Sequence, residues 1–165
     1  MFKTTLLLCL AILFSGCATK APYTPPTEGP TATLVLPVGF TKYSFGFSGA
    51  STHFAIGDAS GCGKIYEAKE APKEQEMVTY KIPAKKDVFI HHWAYIRNAS
   101  CTIVKVIPNV EEGKIYEAKG AMAWNGAGLR YECALVIIEK SGPRKVFVKT
   151  EEAEVKGGYR VCKNP

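Results

Sequence analysis

The chain has 165 residues, a formal net charge of +6, 47 % hydrophobic and 22 % charged residues. That length fits one domain. The basic residues are spread along the chain rather than gathered in a block, so no nucleic-acid partner is expected and a solvated surface is the simpler reading.

Lys3 gives a short positive start, and Leu6 to Phe14 form a run of nine apolar residues. A hydrocarbon core about 30 Å thick takes roughly 20 apolar residues to span. A positive start, a short apolar run and small residues after it describe a signal peptide over residues 1–16. No second long apolar run follows, so no transmembrane helix is expected.

Leu13-Phe14-Ser15-Gly16-Cys17 resembles a lipobox, the site read by the bacterial lipoprotein machinery. The family pattern places Leu three positions before the Cys; here Phe14 stands there and Leu13 one earlier. The resemblance implies that Cys17 carries a diacylglyceryl group and a further acyl chain such as palmitate. Each buried methylene contributes about 0.8 kcal/mol, and one chain alone holds only marginally. Several chains together make a stable anchor. In enterobacteria-like sorting, Asp after the Cys retains a lipoprotein in the inner membrane. Ala18 follows here, which implies the outer membrane with the domain facing the periplasm.

Residues 17–30 hold four prolines and little to bury. They read as a semi-extended tether. From residue 31 to 165 the texture is short β-like runs cut by turn residues. The runs are Thr33–Leu36, Tyr43–Ser48, His53–Ile56, Gly63–Ala68, Val78–Ile82, Asp87–Arg97, Thr102–Ile107, Lys114–Ala121, Arg130–Ile138 and Lys145–Lys149. Glu67 to Met77 is charged and reads as a loop. In the longest run Val88, Ile90, His92, Ala94 and Ile96 share one face. Phe89, His91, Trp93, Tyr95 and Arg97 share the other, by the two-residue period of a strand. About eight to ten such strands predict an all-β antiparallel sandwich, large enough for a two-layer core.

Gly63-Lys64-Ile65-Tyr66-Glu67-Ala68-Lys69 recurs identically at Gly113 to Lys119. Each copy follows an apolar strand and a short turn. The repeat predicts two equivalent hairpins of a pseudo-symmetric sandwich, with Gly63 and Gly113 in the turns, rather than a duplicated binding hairpin.

Cys9 leaves with the signal, and Cys62, Cys101, Cys133 and Cys162 remain beside Cys17. An even number in an oxidising compartment predicts two disulfides. Four cysteines allow three pairings, and spacing does not choose among them. We favour Cys101–Cys133 with Cys62–Cys162. The first pair then needs strands in facing sheets or directly adjoining, since a disulfide spans Cα atoms within about 7 Å. No Cys-x-x-Cys pair is present to chelate a metal.

Candidate chemistry is sparse. There is no Gly-x-Ser-x-Gly elbow and no phosphate-cradling loop, and no cofactor is expected. His91 and His92 point to opposite faces of a regular strand. A metal or catalytic site would therefore combine His53 with one of them and a carboxylate such as Asp58 or Asp87. Trp124, in Trp124-Asn125-Gly126-Ala127-Gly128, reads as an exposed loop tip suited to a protein or glycan partner.

With the lipobox, Pro-rich tether, paired cysteines and Ile82-Pro83-Ala84-Lys85 before a strand, the chain resembles the small β-sandwich lipoproteins of proteobacterial envelopes. That likeness implies no activity. The function expected is a membrane-anchored binding or structural module. The alternative is a small enzyme or metal-handling protein built on His53 with His91 or His92.

Overall fold

A computed structural model describes residues 20, 22–37, 41–43, 48–66, 77–97, 99–126, 130–157 and 159–164. The segment read as a signal peptide (residues 1–16), Cys17, Ala18 and most of the segment read as a loop before Met77 lie outside the described residues. Twelve strands are described: β1 (Thr31–Pro37), β2 (Thr41–Tyr43), β3 (Ser48–Ile56), β4 (Cys62–Lys64), β5 (Met77–Pro83), β6 (Val88–Ile96), β7 (Ala99–Ile107), β8 (Ile115–Asn125), β9 (Arg130–Glu139), β10 (Val146–Phe147), β11 (Glu151–Val155) and β12 (Arg160–Lys163). No helix is present among the described residues.

The fold is all-β, with two sheets packed as a sandwich. The smaller sheet runs β10-β9-β8-β1-β5 and the larger β2-β3-β6-β7-β11-β12-β4. Alternation decides which side chains meet. Ala32, Leu34 and Leu36 of β1, Tyr80 and Ile82 of β5, Tyr116 and Ala118 of β8, and Leu135 and Ile137 of β9 point inward from the smaller sheet. Phe54, Val88, Ile90 and Ile107 meet them from the larger one. Fully burying a Leu, Ile, Val or Phe side chain contributes roughly 1.5–3 kcal/mol, so this layer is the main source of stability. The sheet is mostly antiparallel. The exception is β1 beside β8, which are parallel.

The larger sheet has a second core on its other face. Ala55, Phe89, Val104, Val106 and Val161 pack there with Ile65 and Ala153. All come from that one sheet or the residue following β4, so the sheet must curve round them. Its closure is visible beyond β4, where Ile65 bridges to Ala55 of β3 and the Tyr66 N–H donates to the Phe54 carbonyl at 2.9 Å. The lower half of the larger sheet is thus a small closed barrel lying against the smaller sheet.

The two disulfides fit this arrangement. Cys101 on β7 and Cys133 on β9 join the two sheets, with Cα atoms 5.6 Å apart. Cys62 and Cys162 are opposite each other on β4 and β12, with Cα atoms 4.0 Å apart, and lock the last strand of the barrel.

Three expectations are corrected. First, the repeated heptapeptides are not equivalent. Gly113 sits in a turn at φ +73°, but Gly63 lies within β4, and a Cβ there would stand 2.6 Å from the Ile56 carbonyl oxygen. Ile65 is buried in the barrel at 2 % exposure, whereas Ile115 is 37 % exposed. Around Ile65 the larger sheet closes on itself, whereas Ile115 stands on the outer face of the smaller sheet, so the same alternation has different consequences. Second, Arg97 does not extend the long strand; it turns at φ 48°. Third, the tether is not bare. Tyr23 packs edge-on against Phe54 and Tyr66 at 4.8 and 4.9 Å between centroids. Its hydroxyl donates to the Lys81 carbonyl at 2.7 Å. One aromatic side chain among prolines is enough to dock the segment, and burial, helped by Tyr66, pushes the Tyr23 hydroxyl up to about 12.

Candidate functional site

The long β6 strand sorts the histidines as its period requires. His92 faces the sandwich and His91 the barrel side. His53 of β3 pairs in register with His91, so these two share a face. Their rings stack at 6.1 Å between centroids with 16° between planes. Val104 of β7 continues the row, and Phe89 and Ala55 lie one pleat deeper in the barrel core. The pair therefore stands at the upper end of the barrel interior.

Lys20, from the segment before β1, reaches this pair. Its Nζ donates to His53 Nε2 at 2.9 Å and lies 5.6 Å from the centre of the Tyr159 ring. An ammonium can only donate, so His53 accepts at Nε2 and holds its proton at Nδ1. Among the described residues the Nδ1 atoms of both His53 and His91 are buried without a hydrogen-bond partner. Burial first, then Lys20 and His91, lowers His53 to about 4. Burial, Lys20 and His92 lower His91 to about 4. Both imidazoles are neutral at neutral pH.

His92 belongs to the core. It is 1 % exposed, and its Nδ1 is 3.0 Å from the Thr52 hydroxyl. Burial lowers its pKa. Gly120 of β8 presses on it from the opposite sheet: a Cβ at Gly120 would meet ring atoms at 2.1–2.4 Å. Thr52 is buried with His92, at 2 % exposure.

The carboxylates proposed to complete a metal site point elsewhere. Asp58 closes the turn before β4, accepting from Ser60 N at 2.8 Å and pairing with Arg160 at 3.5 Å. The Ser60 hydroxyl and N–H hold its carboxyl below the usual range. Asp87 accepts from Asn109 N at 3.0 Å and pairs with Lys163 at 2.9 Å. Burial alone would raise its pKa; Lys163 and the Asn109 N–H outweigh it. Among the described residues no three His, Cys, Asp or Glu side chains are placed to hold a metal.

As chemistry, His53 and His91 offer two neutral imidazoles beside a cation. A general base is most effective with a pKa near the working pH, which both miss. Sequence reasoning brought His53 and His91 forward and overlooked Lys20, because its contact is made across 33 residues and no local pattern announces it.

Trp124 is not in a loop tip. β8 and β9 stay paired out to Asn125 and Arg130, which puts Trp124 opposite Tyr131 inside the ladder. Beside that end, a cavity of about 380 Å³ lies between the sheets, lined by Ala50, Ala94, Ile96, Gly120, Met122 and Tyr131 among others. Small side chains on facing strands leave this space.

Compared with protein-family models, curated proteins and solved structures, the chain matches none.

Proposed function

We propose that the chain is an envelope lipoprotein, anchored in the outer membrane through acyl chains on Cys17 and facing the periplasm. Its β domain works as a binding or structural module for another envelope protein or a glycan. The observation that carries this reading is the docking of the segment behind Cys17. Tyr23 is packed into an aromatic cluster and Lys20 is bonded to His53. A passive spacer needs neither contact. A docked one fixes how the domain is presented relative to its attachment point, which suits a module that offers one surface to a partner.

The surface best suited to that partner is the β10 edge. Val146 and Phe147 are 55 % and 77 % exposed, on the last strand of the smaller sheet. An open edge offers backbone donors and acceptors, and exposed Phe147 adds an apolar anchor. Cys17→Ser should move the protein out of the membrane fraction and abolish acyl labelling. A mutant that stays membrane-bound and labelled sinks the anchor. A photo-crosslinking residue at Phe147 in intact cells should capture one envelope component reproducibly; no capture sinks the edge.

One observation favours a second reading, a metal-handling or small enzymatic role. His53 and His91 bring two imidazoles together with unpartnered Nδ1 atoms among the described residues. The Lys20 ammonium opposes a cation there and would have to leave. Zinc or copper uptake by Lys20→Ala would favour this reading, and no uptake at micromolar metal would end it.

A further inference from the structure

We propose that the face of β3 and β6 carrying Trp93 and Tyr95 rests on the headgroup layer of the bilayer that receives the acyl chains of Cys17. This rests on the anchored reading above and adds to it which side of the domain meets the lipid.

The first support is reach. Lys20 is fixed at His53 by a 2.9 Å hydrogen bond, and Cys17 lies three residues before it. A fully extended chain covers at most about 3.6 Å per residue, so the anchor is within roughly 11 Å of Lys20. Since the segment is bonded to the domain at Lys20, the slack of a long tether is not available.

The second support is what stands beside Lys20. His91, Trp93 and Tyr95 follow at two-residue spacing and share one face of β6, which places Trp93 one pleat, about 7 Å, beyond His91. Ser51 and Thr102 flank Trp93, and Gly49 and Ser100 flank Tyr95. These neighbours are small, so the two rings stand above them. They touch each other at 5.1 Å between centroids, and both are only half-buried. The exposed Tyr159 lies next to the Lys20 ammonium.

The third support is the match of chemistry. Trp and Tyr have apolar bodies with polar tips and settle at the headgroup level of a bilayer. Deeper in the protein the face changes character: Phe89, Ala55 and Val104 are enclosed in the barrel core. The aromatic pair is the part left outside that closure.

The test uses the lipidated full-length chain with Trp124→Phe, so that Trp93 is its one tryptophan. It is placed in phosphatidylcholine vesicles whose lipids are brominated near the headgroup end of the acyl chains. Trp93 should lose most of its emission relative to plain vesicles, and Cys17→Ser mixed with the same vesicles should not. If Trp124→Phe fails to fold, the unaltered chain serves: the quenched part of its emission should vanish in Trp93→Phe. An acyl-labelled, vesicle-bound protein whose Trp93 emission is equal in both vesicles overturns the docking and leaves the anchor standing. A chain that takes no acyl label on Cys17 overturns the anchored reading and the docking with it.

Discussion

His53 and His91 face each other across β3 and β6, and Lys20 caps the pair from the segment that precedes the domain. Both imidazoles bind a proton more weakly in the folded protein, at about 4 against the ordinary 6.5. The unfolded chain therefore takes up protons first as the pH falls. Stability should be full above about pH 6.5, decline down to about 4 and level off below that as far as these groups are concerned. The loss is about 3 kcal/mol at most for each histidine. His92 adds in the same direction. The lowered carboxylates Asp58, Asp87 and Glu117 act only below their ordinary values of 3.8 to 4.5, so the upper part of the window belongs to the histidines. Denaturant unfolding at pH 7, 6 and 5 checks this. His53→Gln with His91→Gln should flatten the slope, and an unchanged slope would refute the assignment.

Gly120 should not tolerate alanine. The added Cβ meets the His92 ring at 2.1–2.4 Å, and that ring is buried and held by Thr52. Overpacking of this kind costs typically 1–3 kcal/mol. Gly120→Ala should lower the unfolding midpoint accordingly. In a double-mutant cycle with His92→Ala the penalty should shrink, because the ring that causes the clash is gone. Equal penalties in both backgrounds would mean that His92 is not the obstacle.

The all-β class was legible because β1 carries a two-residue alternation that buries Ala32, Leu34 and Leu36 on one face, and because turn residues cut the rest of the chain into short β-like runs. β11 was not legible. Glu151-Glu152-Ala153-Glu154-Val155 turns a single alanine, Ala153, to the barrel core, and its three glutamates pair with Lys163, Lys105 and Lys156. Such a strand is specified by its neighbours β7 and β12, not by its own pattern. The repeat misled for a related reason. Identical residues at Ile65 and Ile115 meet a closed barrel in one place and solvent in the other, and only long-range closure decides that. Pairing of His53 with His91 follows from the register of two strands 38 positions apart, which neither strand's alternation contains.

The two disulfides should differ in what their loss releases. Cys62–Cys162 closes a loop of sequence separation 100 and Cys101–Cys133 one of 32. On chain-entropy grounds the first contributes about 4.7 kcal/mol and the second between 3 and 4 kcal/mol, roughly. Cys101→Ser with Cys133→Ser unties the two sheets but leaves the barrel seam. Cys62→Ser with Cys162→Ser frees β12 and β4. Hydrogen exchange should therefore show local loss of protection at β12 in the second variant. The first should show lower global stability without a local opening there. Opening at β12 in both would reject this division of labour.

Tyr23 is where the leading segment is fastened, so Tyr23→Ala should detach it. The ring fills a space among Phe54, Tyr66 and Tyr80, and its hydroxyl bonds the Lys81 carbonyl. Removing a packed aromatic typically costs 3–5 kcal/mol when fully buried. Tyr23 is half-buried, so a loss nearer 1–3 kcal/mol is expected, on the usual scale of single substitutions. The more specific consequence is at His53. With the segment loose, Lys20 should leave Nε2, and the cation that helps depress both histidines should go with it. NMR titration of the imidazoles in Tyr23→Ala should show His53 and His91 protonating at higher pH than in the unaltered chain. Lys20→Ala should reproduce that rise without the loss of packing. If Tyr23→Ala leaves both histidines titrating where they did, the tyrosine does not hold Lys20 in place, and the fastening must lie elsewhere in the segment.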